Sequence, residues 1–305
     1  MDVVVTITEF KNLLKARGYT KNTIEGYRKN LDQFQRYLTG RRISDLREVT
    51  LQIIVDYQQQ VMQQPVSPET KALKIRPVKR LFEHLTETHK LLLNPTEGIV
   101  ESCRKHYRIG PVLSIEQMQQ LLAQPNLSLR SHIRDRAIME LMYCTGIRLD
   151  ELLKLQVYHI ELKDKVLYIR KGKGGRQRVV PLGRQALKYL KEYLEKIRPH
   201  YAKKNPQSRT LFLTVQGLAI TAPCVRGFLR RYRSAAGIKR AVSPHTFRRT
   251  CATHLLQQGA NIRYVQKLLG HRHLSTTQKY TKLMPADLKK THAQTHPNVG
   301  GHNEN

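Results

Sequence analysis

Acidic side chains are scarce in this sequence: 23 Asp and Glu stand against 54 Lys and Arg, a formal charge of +31 over 305 residues. The cations are spread along the whole chain instead of filling one tail. Such a surface repels itself unless a polyanion occupies it, which points to nucleic acid before an anionic membrane. A generically basic protein, such as a ribosomal component, fits the charge taken alone.

Cysteine is also scarce. The four, Cys103, Cys144, Cys224 and Cys251, form no closely spaced pair and no His-interleaved set, so neither a zinc site nor a disulfide framework is expected, and the compartment is expected to be reducing. Cys144 and Cys251 sit in apolar helical patterns, where a small buried thiol is the common case. Long hydrophobic runs are missing, and nothing approaches the ~20 apolar residues that cross a bilayer. The apolar opening MDVVVTITEF carries Asp2 and Glu9 without a basic leader, so it does not read as a signal peptide. A cytoplasmic protein with no membrane contact is expected.

What is present is 40% apolar content in a chain long enough for two cores. The first hundred residues read as short helices. Thr8 is expected to cap a helix through Arg17 that stops at Gly18, Thr20 one through Leu38 that stops at Gly40, and Thr50 a third. Ile24, Tyr27, Leu31, Phe34 and Leu38 recur at helical spacing in the second. Ser67-Pro68 opens a fourth, with Leu73, Ile75, Val78, Leu81, Phe82 and Leu85 on its apolar side. Pro77 predicts a kink or break there, since an interior proline costs ~3 kcal/mol or more. The bundle ends at Asn94-Pro95. The expected organisation is a helical domain over 1–100, a basic linker over 101–111, a second domain over 112–298 that closes with a helix, and a disordered tail over 299–305.

In the second domain Ser114 and Gln117 have capping-box spacing, and an apolar helix through Ile138, Leu141 and Met142 ends at Gly146. Residues 156–160, 165–170 and 176–181 predict a small antiparallel meander with a turn at Lys163-Asp164 and another over 172–175. From Gly183 the chain is helical again, around a polar loop near Lys203–Arg209.

Chemistry concentrates in the stretch from Ser243 to Leu283. His245 and Arg248 lie three apart on a helix that Ser243-Pro244 starts, so both project from one face, with Arg249 pointing elsewhere. A second helix reaches Leu269-Gly270-His271, and a third, with Ser275 and Gln278 as a capping pair, carries Tyr280. Further back, Arg148 follows the helix-ending Gly146 with Glu151 one turn later. A guanidinium offers bidentate bonds to phosphate, and a carboxylate beside it can fix its orientation, although such a pair is also common on ordinary helix surfaces. Lys173 sits in a glycine-rich turn that matches neither common nucleotide-binding loop, and no metal-ligand set competes.

Together TGIRLDEL, GKGGRQRVVPL, HTFRRTCATHLL, LLGHRHLSTTQKY and, more loosely, TKNTIEGYRKNLDQFQRYL resemble the tyrosine recombinase (phage integrase) family, especially its bacterial Xer-like and transposon-encoded members, over nearly the entire chain. The resemblance implies a mainly α fold with a small antiparallel sheet: a SAM-like core-binding domain followed by a catalytic domain. By it Arg148 and Arg248 are the phosphate-clamping arginines, His245 and His271 the two histidines, Lys173 the hairpin general acid and Tyr280 the nucleophile, with Glu151 in the acidic supporting place. Arg249 departs from the many relatives with a second His at this position, and Pro77 falls in a DNA-facing helix.

The implied activity is cutting and rejoining of double-stranded DNA through a 3′-phosphotyrosine bond, without cofactor, metal or ATP. The implied partners are paired inverted binding elements and a homotetramer on two sites, with accessory DNA-bound protomers as a further option. The segment from Asp287 to Pro297 resembles the terminal helix that docks onto a neighbouring protomer. Two other readings stay open, a type IB topoisomerase and a DNA-binding regulator that no longer cuts. The chemistry suits the residues: two arginines and a histidine donor stabilise the charge that grows on an attacked phosphodiester, and cations close by favour the phenolate of a tyrosine whose ordinary pKa is ~10.

Overall fold

The computed structural model describes residues 1–100, 110–170 and 177–270. Lys173, His271, Tyr280, the expected linker core, the closing helix and the tail therefore lie outside the described residues. The chain divides into two compact units, Met1–Arg108 and Ile109–Asn305. It is mainly α-helical, with one three-stranded antiparallel sheet. Among the described residues no helix is long and apolar enough to cross a membrane.

The first unit is built from α1 (Val3–Ala16), α2 (Lys21–Gly40), α3 (Leu51–Met62) and α4 (Pro68–Glu87). Thr20, Thr50 and Ser67 cap the last three as their sequences indicate, each side chain accepting from a backbone N–H three residues on. The first helix starts earlier than expected. Asp2 is its cap, accepting from the Val5 N–H at 2.8 Å, while the Thr8 hydroxyl donates back to the Val4 carbonyl inside the helix. The added turn buries Val3 and Ile7 with Phe10 and Leu14. Phe34 sits at the centre of the bundle, edge-on to Tyr57 at 4.9 Å and to Phe82 at 6.2 Å between ring centroids.

Pro77 neither breaks nor ends α4, which runs unbroken from Pro68 to Glu87. A proline at 77 has no N–H for the Leu73 carbonyl one turn back. That carbonyl instead accepts from the Asn30 side-chain amide of α2, at 2.9 Å. Pro77 itself is buried with Ile75 and Val78, so its ring adds to the core while a neighbouring helix satisfies the orphaned oxygen.

The second unit opens with α5 (Ile115–Ala123), whose Ser114–Gln117 capping box is formed in both directions. Next is α6 (Arg130–Thr145), buried on nearly every side and packed on two later helices. A short α7 (Leu149–Leu153) leads to the meander β1 (Ile160–Glu161), β2 (Val166–Ile169) and β3 (Arg178–Pro181). The strand expected over 156–160 is mostly a 3-10 turn, Val157–His159, because the His159 ring accepts from the Gln156 N–H at 3.1 Å and curls the chain.

After β3 come α8 (Arg184–Glu192), a wide turn over Tyr193–Ile197, α9 (Arg198–Ala202), α10 (Ala222–Ala235), α11 (Pro244–Gln257) and α12 (Ile262–Leu269). Arg134 and Tyr232 both donate to the buried Asp135 carboxylate, which locks α10 onto α6.

Replacing Asn30 with Ala is expected to lower stability by about 1 kcal/mol, the worth of one hydrogen bond. In a Pro77→Ala background the loss should shrink, because residue 77 then supplies its own N–H. Urea unfolding of the four proteins measures this coupling, and equal losses in both backgrounds would contradict the assignment.

Candidate active site

The site grows from the end of α6. Gly146 adopts φ +57°, and a Cβ there would lie 2.4 Å from a Leu269 methyl, so only glycine lets α6 end against α12. The chain turns and places Arg148 as the N-cap of α7. Its backbone N–H donates to one Glu151 oxygen at 3.0 Å, and its Nη1 donates to the other at 2.9 Å. Glu151 therefore caps the helix and fixes the arginine together.

On the other side of α12 stands α11, started by Ser243 with Pro244 at its first position. Its inner face is pinned: the Thr250 hydroxyl accepts from the Leu113 N–H at 3.1 Å, and the His254 Nε2 donates to the Leu113 carbonyl at 3.0 Å. With Nε2 a donor, Nδ1 accepts from the Tyr143 hydroxyl at 2.8 Å. Arg248 is 2% exposed. Its Nη1 donates to the Gly146 carbonyl at 2.7 Å and its Nη2 to the Leu269 carbonyl at 2.6 Å.

Arg148 reaches the next carbonyl, its Nη2 donating to Gly270 at 3.0 Å. A third arginine, Arg178 of β3, donates through Nε to the Leu268 carbonyl at 2.9 Å and through both terminal nitrogens to Glu151, at 3.0 and 2.7 Å. Three successive carbonyls at the C-terminus of α12 thus face three guanidiniums from three different elements. The end of a helix leaves such oxygens without intrahelical partners and carries partial negative charge, so cations are favoured there.

Arg148, Glu151 and Arg248 are therefore brought together. His245 stands on α11 three residues before Arg248 and is exposed. Desolvation, then the charges of Arg249, Arg248 and Arg148, hold its pKa below the ordinary value of 6.5. Arg249, expected to point elsewhere, does act on this ring. Its guanidinium also fills the space beside Gly110, where a Cβ would lie 2.3 Å from its Nη1.

Glu151 is 3% exposed as a side chain. Burial alone would raise its pKa, but the hydrogen bonds and charge of Arg178, followed by those of Arg148, outweigh it and hold the carboxyl at about 2. Cys144 and Cys251 are poor nucleophiles in this geometry. Burial pushes Cys251 up to about 12 and raises Cys144, whose sulfur accepts from the Gly183 N–H. Arg178 was not among the residues singled out from sequence. The available signal was strand alternation, which puts it on the same face as the buried Val180.

A profile of the phage integrase family matches residues 111–286, and one of the phage integrase N-terminal SAM-like domain matches residues 7–89. The chain is 32% identical over 292 residues to the tyrosine recombinase XerD of Staphylococcus epidermidis, covering 95% of this chain and 98% of that one. Among solved structures it is similar to the XerA recombinase, with TM-score 0.55 and 25% identity over 96% of this chain and 98% of that one. It is also similar to the Tn1549 transposon integrase in complex with a circular intermediate DNA, with TM-score 0.73 and 17% identity over 92% and 95%. A SAM-like helical unit followed by an integrase-type unit is the fold of a site-specific recombinase. The chain belongs to the phage integrase family, the tyrosine recombinases.

Two outcomes follow from these electrostatics. A group held at about 2, against 4.5 when unperturbed, adds stability above pH 4.5 that is lost as pH falls toward 2. Glu151→Gln is therefore expected to cost roughly 3 kcal/mol at neutral pH, with the gap to wild type closing over that acid range in urea titrations. In the DNA-free protein, the His245 ring followed by carbon-13 NMR is expected to titrate below pH 6.5 and to be neutral at pH 7; a midpoint above 6.5 would contradict the field described.

Proposed function

We propose that this chain is a site-specific DNA recombinase in which the Tyr280 phenol attacks a phosphodiester, forms a 3′-phosphotyrosine bond and releases a 5′ hydroxyl. The 5′ hydroxyl of a partner strand then attacks that bond, restores a phosphodiester and frees the phenol. Exchange of one strand pair and then the other passes through a Holliday junction. The observation that carries the reading is the meeting of Arg148 and Arg248 on the adjacent Gly270 and Leu269 carbonyls, directly before His271 in the chain.

Each guanidinium carries five donors in a planar fork, so one edge can be anchored while another meets phosphate oxygens. Fixed donors of this kind need no reorganisation when charge develops. His245, neutral at pH 7, accepts the phenol proton, and His271 donates to a phosphate oxygen. Lys173 returns a proton to the leaving 5′ oxygen. The covalent bond conserves the phosphodiester energy, so the cycle runs without ATP, and the cations take the part a metal would otherwise play.

Exposed Arg226, Arg230 and Arg231 on α10, with Lys239 and Arg240 beyond it, give the second unit a basic face that supports duplex binding. Each phosphate they neutralise contributes about −0.9 to the slope of log K against log salt. In this reading residues 1–100 form the core-binding domain, 101–111 the basic linker and 112–298 the catalytic domain, and four copies assemble on two sites with paired inverted elements in the bacterial cytoplasm. The biological task is integration or excision of a mobile element, or resolution of cointegrates or dimers.

The test uses a cognate site recovered by mapping bound DNA in cells, nicked near the cleavage position. Wild type is expected to form an SDS-resistant adduct and Tyr280→Phe none, while Arg148→Ala and Arg248→Ala cut about 100- to 1,000-fold more slowly. An adduct formed by Tyr280→Phe would contradict the mechanism. A plasmid with two sites is expected to give resolved or inverted products, and relaxation alone would point to a topoisomerase.

A further inference from the structure

We propose that Arg178 is a positioning residue for strand cleavage: it ties the end of α12, from which His271 follows, to β3, which follows the Lys173 turn. The proposal rests on the recombinase reading above and assigns a role to a residue outside its catalytic set.

Arg178 is placed by strand register. It pairs with Ile169 across β2 and β3, and directly opposed residues share a face of the sheet, so its side chain enters the interior with Val180 and Ile169. The side chain is 10% exposed, and an arginine so far from water requires an anion and further acceptors. It finds both: the Glu151 carboxylate in a bidentate fork, and the Leu268 carbonyl. The fork is planar and rigid, so meeting Glu151 with two nitrogens and Leu268 with the third fixes the distance between α7 and the last turn of α12.

This contact lies close to Gly270. A Cβ on Gly270 would lie 3.1 Å from Arg178 Nη1, and the residue adopts φ +64°. The chain therefore leaves α12 against the Arg178 guanidinium. Glu151, held by Arg178, orients Arg148, and Arg148 takes the Gly270 carbonyl. Arg178 sets both ends of this arrangement and, being buried, has no need to touch DNA. Its loss should misplace the cleavage groups without weakening duplex binding.

The experiment compares wild type with Arg178→Lys, which keeps the charge but cannot make the bidentate fork. Single-turnover cutting of the nicked duplex is measured at saturating protein, with Kd on the same duplex and amide exchange over α12. Arg178→Lys is expected to cut about 100-fold more slowly, the cost of a misplacement near 1 Å, with unchanged Kd and faster exchange at the last amides of α12. Should that variant not fold, Arg178→Met leaves Glu151 paired with Arg148 and is read in the same way. Cutting at the wild-type rate, or a slow rate restored by raising the protein concentration further, would overturn the positioning role. Failure of wild type itself to form an adduct would instead overturn the recombinase reading, while the exchange data still decide whether Arg178 holds α12.

Discussion

The C-terminal turn of α12 is the constraint on which the site depends. Its last carbonyls, Leu268, Leu269 and Gly270, are taken by Arg178, Arg248 and Arg148 in that order. A helix end of this kind needs partners for its exposed oxygens, and guanidiniums supply donors and favourable charge together. Because β3, α11 and the N-cap of α7 each contribute one arginine, closing this turn assembles three distant parts of the sequence. The glycines at 146 and 270 make the closure possible, since both occupy left-handed backbone where the helices meet.

The choice of acceptors has an electrostatic consequence. Between Glu195 and Asp287 the sequence has no carboxylate side chain at all. Arg248 donates there to the carbonyl oxygens of Gly146 and Leu269, neutral groups that orient its guanidinium. Arg148 and Arg178 share one carboxylate, Glu151. In the proposed reaction this leaves positive charge in place for a phosphate, already oriented and partly desolvated, where it acts more strongly than in water. In that reading the overall excess of cations serves long-range attraction to DNA, while Arg148, Arg178 and Arg248 serve the chemistry.

Much of this was legible in the sequence because it is local. Ser67, Thr20, Thr50 and the Ser114–Gln117 pair announce their helices through caps that act within one turn, and Gly146 announces an end. The order of motifs revealed the family. Two of the features that escaped, at Pro77 and Arg178, depend on partners far away in sequence. Pro77 reads as a breaker until Asn30, 47 positions earlier, is seen to take the carbonyl that the proline cannot serve. Asp2 reads as a charge in an apolar opening until its side chain caps α1. Arg178 reads as one more cation in the strand expected over 176–181; alternation with Val180 hints at its burial, and the register with Ile169 fixes it. Arg249 reads as facing away because helical spacing describes directions, whereas its effect on His245 is carried by charge over distance.

The central claim is that Arg148 and Arg248 are fixed for a phosphate before DNA arrives. A crystal structure of Tyr280→Phe bound to an intact cognate duplex tests it most directly. Both guanidiniums are expected on oxygens of one phosphate at the cleavage position, with their contacts to the Gly270 and Leu269 carbonyls kept near 3.0 and 2.6 Å. Guanidiniums that swing off those carbonyls, or that contact different phosphates, would contradict it.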